Sequence, residues 1–281
     1  MSFIILFLFI IPILSISSAS IAPIYSYPGF TTVGSWQPTF IDDFNYTSIQ
    51  DPNFLKYWNI RNNESHCEPC EPELYMATAL NITNNTLVVT TERNKILGPG
   101  GITYNFTSGW VDTSKKFSQL YGLFEAKAKL PSQNSTGIWP AFWTLPVSGC
   151  WPTQGEIDVF EYTANQLEND VFGSYRWGTT CDNDNQVLPG AGYPPFGSPP
   201  IDWSADFHTF AAIWNSTSIN FYVDGNWYET KNSTEVILPT VPHYVILDTA
   251  IAWYWMPDNT SVYPATTIWE YVHVYEWVSE N

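Results

Sequence analysis

The chain has 281 residues, with ten Lys and Arg against 27 Asp and Glu, for a formal net charge of −17. Such a surface excludes nucleic acid and anionic membrane as electrostatic partners, whereas an uncharged polymer is not repelled. Aromatic residues make up 17% of the chain and charged residues only 13%, so any cluster of charges calls for an explanation.

At the N-terminus, Phe3 to Ile16 is almost wholly apolar, and the small residues Ser17-Ser18-Ala19-Ser20 follow. This run is shorter than a membrane span and reads as a secretory signal cleaved near Ala19. It divides the chain into a signal, 1–19, and one domain, 20–281. A retained anchor is the competing reading, because the first residues carry no basic side chain. Nine N-x-[ST] sequons, at Asn45, Asn63, Asn81, Asn84, Asn105, Asn134, Asn215, Asn232 and Asn259, fit a secreted glycoprotein or one held in the secretory lumen. Four cysteines suit the same oxidising compartment. Cys67-Glu68-Pro69-Cys70 reads as a local disulfide, since its acidic setting lacks the βαβ context of a redox pair.

Short strand-like runs, such as Thr86–Thr91 and 219–223, recur between turns rich in Gly and Pro, and no long segment has a 3.6-residue period. The prediction is an all-β fold, two antiparallel sheets packed as a sandwich. In the middle of the chain comes Glu156-Ile157-Asp158-Val159-Phe160-Glu161. A helix would scatter its three acids to about 0°, 200° and 140° around the axis. A strand instead puts Glu156 and Asp158 on one face and sends Ile157 and Val159 to the other. Glu161 then has the wrong parity, which one extra residue at Val159-Phe160, a β-bulge, would correct. Three acids on one face suit two-carboxylate chemistry on a glycosidic bond. The competing readings are a solvated acidic strand, disfavoured by like-charge repulsion, and a divalent-metal cluster, which lacks a nearby His or further acid. Cys150 and Cys181 bracket this strand, and their pairing would tie two loops beside it.

The text around the acids resembles glycoside hydrolase family 16, the laminarinase-like β-glucanases. The resemblance runs through Tyr121-Gly122-Leu123-Phe124-Glu125, Gly137-Ile138-Trp139-Pro140-Ala141-Phe142-Trp143 and Trp151-Pro152-Thr153-Gln154-Gly155-Glu156. It continues through Asp206-Phe207-His208-Thr209-Phe210, 219–225 and Trp269-Glu270-Tyr271-Val272-His273. The extra residue before the last Glu is similar to the bulged laminarinase branch.

The resemblance implies a concanavalin-like β-jelly roll and a retaining endo-β-1,3-glucanase, or a mixed-linkage β-1,3-1,4-glucanase, acting as a monomer. Glu156 would be the nucleophile, Glu161 the general acid/base and Asp158 the auxiliary acid; the residues alone leave open which end keeps the proton. Trp139, Trp143 and Trp151 are candidate sugar contacts, against a core reading. No cofactor is required for the chemistry. A structural calcium near Asp42, Asp43 and Glu270 is a further expectation, although Glu270 stands where the family usually has Asp. Two other departures, Tyr175-Arg176-Trp177-Gly178 and Ala250-Ile251-Ala252-Trp253-Tyr254-Trp255, fall where the family often has a His and a Gly-Gly pair before a Trp. The alternatives are a transglycosylase on the same acids and a non-catalytic β-glucan-binding recognition protein.

Overall fold

Period-two alternation organises the chain: in Leu80–Thr83, Leu80 and Ile82 are buried while Asn81 and Thr83 are exposed. The computed structural model describes residues 22–27, 33–67, 71–165, 171–181, 192–195 and 198–280. The signal expected at 1–19, and Cys70 of the expected local disulfide, lie outside the described residues.

In chain order the strands are β1 (Gly34–Asp42), β2 (Asn59–Ile60), β3 (Glu73–Tyr75), β4 (Leu80–Thr83), β5 (Thr86–Thr91), β6 (Ile96–Leu97), β7 (Thr103–Tyr104), β8 (Phe106–Ser108) and β9 (Trp110–Asp112). They continue as β10 (Gly122–Lys129), β11 (Ile138–Pro146), β12 (Glu156–Tyr162), β13 (Val171–Arg176), β14 (His208–Trp214), β15 (Ser218–Val223), β16 (Asn226–Asn232), β17 (His243–Ile251) and β18 (Ala265–Ser279). An eight-stranded sheet runs β16-β15-β14-β10-β18-β5-β4, with β1 also paired to β18. A six-stranded sheet runs β13-β12-β11-β17-β9-β2. Pairing within both is antiparallel, so the expected all-β sandwich is what forms.

The main core fills the space between the sheets. Phe142, Ile157, Val159 and Phe160 enter it from the six-stranded sheet, and Phe124, Phe210 and Trp269 from the other. Phe160 lies 4.0 Å from Phe210 and 5.7 Å from Trp269, ring centre to ring centre. A second apolar cluster, including Tyr27, Leu123, Ala211 and Tyr222, lies on the other face of the eight-stranded sheet. There the N-terminal Tyr27 hydroxyl donates to the buried Glu125.

Of the three acids considered for calcium, Asp43 and Glu270 line one cavity, while Asp42 is buried in hydrogen bonds of its own. Asp42 accepts hydrogen bonds from Trp58 Nε1 at 2.6 Å, Phe44 N at 2.8 Å and the Tyr46 hydroxyl at 2.9 Å. Asp43 pairs with His273 at 2.7 Å and Glu270 with Lys127 at 2.6 Å. Each carboxylate already has its partner within the protein, so these residues do not fit a calcium ion.

Candidate active site

Strand β12 starts from a turn that only glycine can make here. Gly155 has φ +76°, and a Cβ on it would lie 2.6 Å from the Tyr175 hydroxyl oxygen, closer than carbon and oxygen can pack. His243 braces the same turn: its Nε2 donates to Gln154 O at 2.9 Å, and its Nδ1 accepts from the Thr144 hydroxyl at 2.9 Å. Burial pushes this imidazole down to about 4, which keeps it neutral, as that bonding pattern requires.

The bulge is present. Phe142 on β11 opposes Phe160 and the next residue, Trp143, opposes Asp158, so Val159 is the extra residue. Strand β13 shows the same shift between Asp158 and Glu161. Val159 and Phe160 both turn into the core, and Glu156, Asp158 and Glu161 share the opposite face.

Two side chains of β13 divide this row. Arg176 stands opposite Glu156 in the register, with its Nε 3.2 Å from Glu156 Oε1 and 3.7 Å from Asp158 Oδ2. Ser174, opposite Asp158, lies 2.5 Å from Asp158 Oδ2 and 2.8 Å from Glu161 Oε2. A serine hydroxyl has one proton. It can donate to only one of those oxygens, so two simultaneous hydrogen bonds need a second proton from one of the carboxyls.

Trp151 Nε1 donates to the second oxygen of Glu156 at 2.8 Å. Burial pushes Glu156 up to about 7; the Arg176 charge is the largest opposing influence, Trp151 adds to it, and Glu161 acts the other way. Asp158 is pushed well above the usual carboxylate range by burial and then by the charges of Glu161 and Glu156. A row so crowded titrates as a set. It offers one carboxylate beside a fixed cation and a proton shared at the other end.

The three tryptophans sit differently. Trp151 is 44% exposed and touches the acid row. Trp143 is buried, and its Nε1 donates to Asp248 at 2.8 Å. Trp139 is half-buried, edge-on to Tyr254 at 5.3 Å, and the Tyr254 hydroxyl bonds Thr163 just beyond β12 at 3.0 Å. Trp253 and Trp255 flank Tyr254 and are exposed, forming an aromatic rim past the Glu161 end. The disulfide Cys150–Cys181 forms with its Cα atoms 5.3 Å apart, tying the Trp151 loop to the segment that leaves β13.

A second acidic cluster lies two strands away on the same face. Ala141 pairs with Glu161 on one side and Asp248 on the other. Asp248 accepts from the Tyr75 hydroxyl at 3.1 Å, and the same hydroxyl lies 3.0 Å from Glu73 Oε1. Burial pushes Asp248 up to about 7. Sequence reasoning missed this cluster, along with Ser174 and Arg176. The one local signal was the polar alternation of Ser174 and Arg176 in an otherwise apolar strand. Among the described residues no group of His, Cys, Asp and Glu is arranged to hold a metal ion.

The sequence profile of Glycosyl hydrolases family 16 matches residues 73–271. The glucan endo-1,3-beta-glucosidase of Cryptopygus antarcticus is 39% identical over 130 residues, 45% of this chain and 44% of that protein. Glucan endo-1,3-beta-glucosidase A1 of Niallia circulans is 33% identical over 187 residues, 61% of this chain and 26% of that protein. The chain thus matches less than half the length of either relative. The solved endo-beta-1,3-glucanase of Pyrococcus furiosus has the same fold, with a TM-score of 0.74 and 28% identity over 88% of this chain and 97% of that one.

Proposed function

The chain belongs to Glycosyl hydrolases family 16, and on that footing we propose that it is an endo-acting β-glucanase cutting internal β-1,3 bonds, mixed β-1,3-1,4 glucan included, with retention. The observation that carries this reading is the bulged strand β12, which puts Glu156, Asp158 and Glu161 on one face. The relatives' names supply the glucan and its linkage. Glu156 attacks the anomeric carbon while Glu161 protonates the departing sugar oxygen. Glu161 then takes a proton from the water that hydrolyses the glycosyl-enzyme. Asp158, between them, holds its neighbours in opposite protonation states.

A retaining pair needs its carboxyls about 5–5.5 Å apart, whereas residues four regular strand positions apart are about 13 Å apart at Cα. The bulge sets Glu161 four regular positions from Glu156 instead of five and on its face, and the two long side chains close the remaining gap by leaning over Asp158. Trp151 and Trp139 line the sugar path in this reading, since flat rings stack on sugar faces, while the buried Trp143 orients Asp248 beneath it. Residues 20–281 would act as one domain, released by removal of 1–19, in the secretory pathway or outside the cell. Eight of the nine sequon asparagines are exposed, and Asn215 is half-buried, as glycan attachment would require.

Reducing-sugar release from laminarin, barley mixed-linkage glucan and agarose tests this directly. Laminarin should be cut fastest and agarose not at all. Glu156→Gln should lower turnover by several orders of magnitude while glucan binding persists. Activity on agarose alone, or a Glu156→Gln enzyme with a tenth of wild-type activity, would refute the assignment.

A further inference from the structure

Two equivalent glutamates on one strand do not by themselves decide which attacks and which donates the proton. Strand β13 supplies the asymmetry. Arg176 meets the row only at its Glu156–Asp158 end, 3.2 and 3.7 Å away. Ser174, two residues earlier and on the same face, meets it at the Asp158–Glu161 end. Arginine stays cationic throughout the working range, so one end has a permanent counter-charge. The other end has a hydroxyl bridge that needs a carboxyl proton to complete its two hydrogen bonds. We propose that Arg176 is the positioning residue that polarises the acid row, keeping Glu156 ionised and aimed while the Asp158–Ser174–Glu161 end keeps the proton.

Arg61, stacked 3.7 Å from the Trp110 ring centre, is a second cation on this face, but its charge acts on Asp248, and among the described residues no ion pair joins it to the acid row. Trp151 contributes a neutral N–H to Glu156. Tyr254 after β17 and Tyr244 on β17 lie near these acids, and burial pushes both phenols upward, so they remain neutral. Arg176 is itself a half-buried side chain, which limits solvent screening of its charge.

The inference rests on the hydrolase reading for its kinetic test but not for its titration test. The kcat/KM–pH profile on laminarin is compared for wild type, Arg176→Met and Arg176→Lys, each first shown to be folded by circular dichroism. Arg176→Gln replaces the Met variant should that one not fold. Removing the charge raises the pH at which Glu156 ionises. The acidic limb should therefore move to higher pH by about one unit, about a tenfold loss below the limb and much less above it. Lysine restores the charge without the planar fork, so the limb should return toward the wild-type position while kcat stays several-fold lower. A uniform loss at every pH in the neutral variant, or an unmoved profile, would make Arg176 merely structural and overturn the proposal. If wild type cuts no β-glucan, the hydrolase reading fails on its own, and carboxyl-labelled protein followed by ¹³C NMR decides the inference. Glu156, assigned by the signal lost in Glu156→Gln, should titrate higher in Arg176→Met than in wild type. Identical titration would overturn the proposal.

Discussion

Glu156 and Glu161 are the same residue type on the same strand face, so their roles are separated by surroundings. Glu156 has the Trp151 N–H and the Arg176 guanidinium; Glu161 has the Ser174 hydroxyl. A group assigned to protonate the leaving sugar should matter only when the leaving group needs a proton. Glu161→Ala should therefore cripple hydrolysis of laminarin by about a hundredfold or more, yet largely spare the first step on an aryl β-glucoside with a good leaving group. Azide should then accelerate release of the trapped intermediate and yield a β-glycosyl azide, since a small anion needs no general base. An α-azide from Glu161→Ala, identified by NMR, would exchange the roles of the two glutamates.

At the scale of the strand, β12 joins chemistry to stability. The residue that re-aims Glu161, Val159, also lets Phe160 point into the core, where it meets Phe210 and Trp269 from the opposite sheet. Truncating a fully buried phenylalanine costs about 3–5 kcal/mol. Phe160→Ala should lose about that much in urea unfolding, and a loss below about 1 kcal/mol would mean the bulge is not anchored by this contact. The bulge was legible in the sequence because parity on a strand is strict: Glu161 cannot join Glu156 and Asp158 without an extra residue. Cys150 and Cys181 were legible because they bracket the acid run in sequence; the antiparallel β12–β13 pair then brings them together at its Glu156 end. Ser174 and Arg176 were not. Their effect depends on the register of β13 against β12, which is set by non-local packing. Asp248 and Tyr75 meet across 173 positions, and nothing local in either segment announces the contact. The partners of Asp42, Asp43 and Glu270, among them Trp58, His273 and Lys127, were hidden for a similar reason, since they come from elsewhere in the chain.

At the scale of the molecule, the sandwich keeps its apolar residues between the sheets and gathers buried carboxyls on the outward face of the six-stranded one. That face carries the acid row, the Asp248–Tyr75–Glu73 cluster and the aromatic rim of Trp139, Tyr254 and Trp255. A strongly acidic protein suits a neutral polysaccharide that does not feel its net charge of −17, and recognition then falls to rings and hydrogen bonds. In the proposed reaction a glucan lying across this face is cut by two successive displacements, one at Glu156 and one assisted by Glu161. Each displacement inverts the anomeric carbon, so the pair together preserves it. Proton NMR of laminarin during the first minutes of hydrolysis, before mutarotation mixes the anomers, reads this outcome. The β-anomer of the new reducing end should appear first and the α-anomer grow in afterwards; α-anomer appearing first would rule out retention at these two glutamates.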